Sequence, residues 1–169
     1  EEAYLLIKFI RALDPGAVLA LGPVPAIGAD ERFPNGFTIH AEKCPNRRGV
    51  EMLLAHFGGK VLSIADFLQE LDAKTVKGAW VSGGYKSDWI DEATAARFGR
   101  LKHLVVQDLF ATPLWQRATY QLPGAAFPER DGSYVNHADR LQTVRWAIRP
   151  PAGVWVEGQL YWRLLAMPG

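Results

Sequence analysis

Residues 101–142, LKHLVVQDLFATPLWQRATYQLPGAAFPERDGSYVNHADRLQ, decide the fold. Leu104-Val105-Val106 is a short apolar, β-branched run that ends in polar Gln107-Asp108. A parallel strand buried on both faces reads as such a run. Its polar end predicts that the carboxyl end opens into a crevice, where ligands sit in open α/β sheets. Ala111-Thr112-Pro113-Leu114-Trp115 predicts a helix start, with Thr112 as N-cap and Pro113 at the first helical position. Tyr120-Gln121-Leu122 reads as a second short strand, stopped by Pro123-Gly124. From Phe127 to Gln142 the sequence is loop-like, with Gly132, Asn136 and Arg140 at turn-prone positions.

Upstream, Leu5, Leu6, Phe9, Ile10 and Leu13 share one helical face and predict a helix over 3–13, ended by Asp14-Pro15-Gly16. Val18 to Leu21 reads as a buried strand. Residues 24–36, rich in Pro and Gly, read as a long loop that packs against something outside the chain. Phe37 to Ala41 alternates like a strand. A helix over 50–57 follows Pro45-Asn46-Arg47-Arg48, which is either an anion-holding turn or a solvated basic loop. A helix over 64–71 is capped by Ser63 or Asp66. Ala79-Trp80-Val81 is a further buried strand, ending at Ser82-Gly83-Gly84-Tyr85, where glycine permits close approach of a ligand. Asp88 is the expected cap of a helix over 89–98, stopped by Gly99.

Strand and helix thus alternate. That predicts an α/β fold: a Rossmann-like, mostly parallel sheet covered by helices. Strands are expected at 18–21, 79–82, 104–107 and 120–122, ending together at Gly22, Gly83 and Gln107, with a fifth at 37–41. After residue 126 the texture changes. Residues 127–169 read as a small carboxy-terminal appendage, with a strand over 145–148 and a buried helix over 159–167.

The chain has 169 residues, 49% of them hydrophobic, and a net charge of +1. That suits one core-forming domain, or one and the edge of another. Near-neutral charge with scattered Lys and Arg argues against nucleic acid as the main partner. No run approaches the ~20 apolar residues of a membrane span, so no direct membrane insertion is expected. Glu1 and Glu2 do not suit a signal peptide. Cys44 is the single cysteine and the four histidines show no zinc spacing. No iron–sulfur cluster, metal ligand or redox activity is therefore expected within this chain, and a cytoplasmic location is. Glu129-Arg130-Asp131 reads as a solvated turn rather than acid/base machinery, and no catalytic residue stands out.

Across residues 105–142 the order V-V-Q-D-x-F-x-T, then x-L-P-x-A-x-F-x-E-x-x-G-x-x-x-N, then R-x-Q resembles the molybdopterin oxidoreductase large-subunit family. The wording GAAFPERDGSYVNHADRLQ is most similar to the branch of that family found in the G subunit of NADH-quinone oxidoreductase. EEAYLLIKFIRAL, FTIHAEKCPNRRGVE and GAWVSGGYKSDWI are similar to other segments of it.

The resemblance implies an oxidoreductase, an electron-transfer subunit of the NADH dehydrogenase type. Its cofactor would be molybdopterin guanine dinucleotide, with one nucleotide part held by the α/β layer. By position, Gly83, Gly84, Gln107, Asp108 and Thr112 would line that crevice. Asn136, Arg140 and Gln142 match a later loop that approaches the pterin. As a ligand contact, Asp108 would be replaceable by Ala with little loss of thermal stability; the alternative is a helix or turn cap. The implied partners are other subunits or domains of a respiratory oxidoreductase, which would place the chain at the inner membrane only peripherally. The family's Asn and Pro after the strand-end glycine are replaced by Tyr85 and Lys86, and its cluster-binding cysteines have no counterpart. The cofactor site is thus either retained or a remnant. The second function class is a structural module that docks respiratory subunits through 22–36 and 149–169.

Overall fold

Leu104 and Val106 are 1% and 0% exposed, in the middle of the longest strand of the computed structural model, which describes residues 1–84 and 89–167. In chain order the elements are α1 (Glu2–Leu13), β1 (Leu19–Ala20), β2 (Glu31–Arg32), β3 (Thr38–Ile39), α2 (Arg47–Phe57), β4 (Val61–Leu62) and α3 (Ile64–Asp72). They continue with β5 (Gly78–Ser82), α4 (Glu92–Phe98), β6 (His103–Asp108), α5 (Pro113–Gln116), β7 (Tyr120–Pro123), β8 (Gly132–Val135), β9 (Leu141–Val144) and α6 (Glu157–Ala166).

β6 lies between β5 and β7, parallel to both, with Val105 opposite Trp80 on one side and Tyr120 on the other. Side chains alternate across a strand. One face therefore carries Ala79, Val81, Leu104 and Val106. These pack with Leu71 of α3, Ala95 and Phe98 of α4, and Leu114 of α5. The opposite face carries Trp80, Val105 and Gln107. Trp80 meets Phe9 of α1 and Tyr161 of α6 edge-on, with ring centroids 5.8 and 5.7 Å apart. α1 and α6 pack on each other there. The sheet is covered by helices on both faces, as an α/β fold requires.

The local signals behave as residue chemistry dictates. Thr112 caps α5 by accepting from the Trp115 N–H, with Pro113 in the first turn. Ser63 caps α3 by accepting from the Asp66 N–H. Asp91 caps α4 by accepting from the Thr94 N–H; the expected cap Asp88 lies outside the described residues. α1 and α2 meet beside β1 in a second core of Ile7, Leu19 and Leu54.

Four expectations need correction. The strand near 18–21 does not join the three-stranded sheet: β1 pairs in parallel with β4, Leu19 with Val61 and Ala20 with Leu62. Gly83 and Gln107 do end together, Gly83 N–H donating to Gln107 O at 2.8 Å, but Gly22 follows a strand of another sheet. Residues 37–41 supply β3, which pairs antiparallel with β2 inside the stretch read as loop. The strand expected over 145–148 is displaced: β9 ends at Val144 and pairs with β8, while Ala147 and Ile148 N–H groups both donate to Pro128 O. Asn136 sets that register. Its Oδ1 accepts from Ala138 and Arg140 N–H, folding the turn between β8 and β9.

Gln107 is 1% exposed, and its Oε1 accepts from the Tyr161 hydroxyl at 2.6 Å. Tyr161→Phe keeps the ring packing and removes that donor. We expect a loss of about 1–3 kcal/mol in urea unfolding with an unchanged denaturant slope. A loss below a few tenths would show that Gln107 finds another donor.

Candidate functional site

The carboxyl ends of β5, β6 and β7 form one edge. Gly83 continues the ladder on one side of Gln107–Asp108, and on the other Gly124 N–H donates to Asp108 O at 3.0 Å. Both crossovers, α4 and α5, pack on the Leu104–Val106 face, so the strand order β5–β6–β7 does not reverse within this sheet.

Gly83 and Asp108 are in direct contact. A Cβ at Gly83 would lie 2.7 Å from Asp108 Cγ, so the missing side chain makes room for the carboxylate. Asp108 is 3% exposed. One oxygen accepts from the Trp89 indole N–H at 3.0 Å and the other from the Leu109 N–H at 2.7 Å. Burial pushes the Asp108 carboxyl above its ordinary range, opposed by the Trp89 donor and by backbone N–H groups of Leu109, Phe110 and Gly84. Gly84 has φ +128, and a Cβ there would make one ordinary contact, with Leu109 Cδ1 at 3.9 Å.

Strand alternation sends Gln107 to the opposite face. Besides accepting from Tyr161, its Nε2 donates to Trp155 O at 3.2 Å. Thr112 is buried as the α5 cap. Asn136, Arg140 and Gln142 sit on the β8–β9 hairpin, which packs on α2: Val135 N–H donates to Asn46 Oδ1 at 2.9 Å, and Arg48 pairs with Asp139. Among the described residues, no hydrogen bond or ion pair joins these three to the sheet edge. Tyr85 and Lys86 lie outside the described residues. Of the two readings of Pro45-Asn46-Arg47-Arg48, an anion-holding turn or a solvated basic loop, the first finds no free arginine: Arg47 is paired with Glu42 and Glu51 and Arg48 with Asp139.

A charged cluster beside the edge escapes the sequence reading. Arg130 is not in a solvated turn. Its guanidinium pairs with Glu2 at 3.0 Å and with Glu157 at 2.9 Å, and Glu157 is 5% exposed. Glu157 Oε2 also accepts from Ala125 N–H at 3.4 Å. The flanking members of the triplet each serve a backbone group: Glu129 accepts from Ala126 N–H and Asp131 from Trp146 N–H. Two carboxylates, one buried and one partly buried, share one cation, so one holds its proton readily. Burial, with Glu157 nearby and Arg130 opposing, raises Glu2 to about 7, and burial raises Glu157. The only sequence signal for this cluster is two glutamates each opening a helix, with no hint that Arg130 joins them.

A family model described as molybdopterin oxidoreductase matches residues 28–154. The chain belongs to the molybdopterin oxidoreductase family. It is 43% identical over 51 residues to the F420-dependent formate dehydrogenase subunit alpha of Methanocaldococcus jannaschii, covering 30% of this chain and 8% of that one. It is 36% identical over 64 residues to the F420-dependent formate dehydrogenase 1 subunit alpha of Methanococcus maripaludis, covering 38% of this chain and 9% of that one. The match therefore spans less than a tenth of the length of these relatives. Among the described residues no helix is long and apolar enough to cross a membrane.

Two measurements check the site. Gly83→Ala drives a methyl into the Asp108 carboxylate and should cost about 1–3 kcal/mol. In an Asp108→Ala background, which itself strips an acceptor from Trp89 and Leu109, the same change should cost clearly less. Equal costs in the two backgrounds would refute the contact. For the cluster the sign follows from a folded pKa above the unfolded one. The folded state holds the Glu2 proton more tightly, so this contribution to stability falls as pH rises from about 4.5 to about 7. Glu2→Gln should remove that slope from unfolding free energies measured across the window.

Proposed function

We propose that this chain is part of an electron-transfer oxidoreductase large subunit, of the branch represented by the G subunit of NADH-quinone oxidoreductase, and that its α/β layer carries a remnant of a guanine dinucleotide site. One observation carries the reading: the polar groups at the strand ends are bonded to protein. Gln107 is held by Tyr161 and Trp155, Asp108 by Trp89 and Leu109, and Thr112 by α5. A guanine edge or a phosphate would need these groups free. The donor and acceptor set, bonded in this way, thus does not fit a molybdopterin guanine dinucleotide at this edge. The order of the family's residues is kept while their hydrogen bonds stabilise the loop.

In this reading residues 1–126 form the nucleotide-side layer. Residues 127–169 begin a further region that docks back through α6. The chain then acts by holding other subunits or domains of a respiratory complex on the cytoplasmic side. Exposed Ile27 and Phe37, and in the tail Trp155 and Trp162, support that docking role.

The second reading keeps the cofactor, with Gly83, Gly84, Gln107, Asp108, Thr112, Asn136, Arg140 and Gln142 as its contacts. Gly84 favours it, since its φ of +128 and exposed Cα let a ligand approach the chain closely. Calorimetric titration of the chain with guanosine diphosphate separates the two. The remnant reading expects no saturable heat at ligand concentrations up to about 1 mM, weaker than about −4 kcal/mol. Saturable binding in the micromolar range, lost in Gly84→Val without loss of fold, would install the cofactor-holding reading instead.

A further inference from the structure

The opposite end of the parallel sheet, where β5 and β6 begin and α3 and α4 end, carries a groove of about 450 Å³. Its floor is aliphatic: buried Leu71 with half-buried Val76 and Leu101. Its rim is cationic, with exposed Lys74, Lys77, Arg100 and Lys102. Among the described residues none of these four has a carboxylate within ion-pair distance. The nearby acids are taken. Arg97 holds Asp72 at 2.6 Å, and Glu70 is engaged by Lys60 and Thr75. The carboxyl ends of two helices together offer about one unit of negative charge. That leaves most of the rim charge uncompensated in a chain whose net charge is only +1.

Lys74 makes the arrangement harder to ascribe to chance. It has φ +59, the left-handed region. Its N–H donates to Leu71 O, and the Thr75 N–H donates to Glu70 O, which is the double-bonded helix ending that glycine favours. A lysine there costs backbone energy and places a cation on the rim.

We propose that this groove receives an acidic peptide segment of a partner subunit, with one apolar side chain on the Leu71–Val76–Leu101 floor and flanking carboxylates on the lysine rim. The inference is independent of the nucleotide reading, because it concerns the other edge of the sheet. A phosphate compound would use the rim alone and leave unmatched the half-exposed edges of Val76 and Leu101, which on their inner side pack against the Leu71 core. An apolar partner would leave four cations facing it unpaired. An acidic segment with an aliphatic anchor satisfies both surfaces, with charge setting partner choice.

The test uses the whole chain and a fluorescein-labelled synthetic peptide carrying one leucine between runs of glutamate, read by anisotropy. Binding should be saturable and weaken several-fold as salt rises from about 50 to about 300 mM. Replacing the peptide's leucine by glycine, or making Lys102→Gln in the protein, should each weaken it about ten-fold. Lys74→Gly should weaken it similarly while leaving Tm unchanged or higher, because glycine suits that backbone. Lys8→Gln, away from the groove, should change nothing. Equal binding of the leucine-free peptide, or displacement by tripolyphosphate at the concentration where the peptide binds, would reduce the groove to a plain anion site and overturn the proposal. So would wild-type affinity in Lys74→Gly, or no saturable binding at millimolar peptide.

Discussion

The buried amide of Gln107 is the constraint on which one whole side of the sheet depends. A buried amide must have its donors and acceptors met, or it costs about as much as a lost hydrogen bond for each. Tyr161 supplies the donor and the Trp155 carbonyl the acceptor. Those two residues come from chain 48 and 54 positions later. To deliver them, residues 149–156 must cross the sheet end and α6 must lie against α1. Trp80 then packs edge-on against Tyr161 as well as Phe9. The far end of the sequence is thus tied to the central strand by polarity as much as by apolar burial.

The central strands and their helices were legible because each was specified locally. The β-branched run of β6, the apolar run of β5, the Thr112–Pro113 start and the stripe in α1 need no distant information. What failed depended on distance. Two-residue strands such as β1 and β4 carry no periodicity, and their pairing is decided by packing of α1 against α2. The β8–β9 hairpin looks like loop because Asn136 and its neighbours are turn formers, and the turn is where the hairpin is made. The boundaries of α2 and α6 were each read a few residues short at the amino-terminal end.

The candidate site was legible in a narrower sense. Sequence placed Gly83 and Asp108 at adjacent strand ends, and the structure brings them into contact. It could not tell whom Asp108 bonds to, because an N–H from Trp89 and an incoming ligand ask for the same carboxylate. Nor could it join Arg130 to Glu2 and Glu157, which lie in three separate segments. In each case residue type was informative and partner identity was set by the fold.

The return of the tail has a consequence for assembly. β7 is the outer strand of the sheet on its side and is four residues long. Its last residue, Pro123, has no N–H to offer, and its carbonyl accepts from Trp155 N–H. Gly124 forms a parallel bridge with Trp155 just beyond. Little free backbone remains along that border for a foreign strand to zip onto. Neighbouring chains are thereby steered away from strand addition at β7, with its hazard of open-ended stacking, and toward contacts made by side chains.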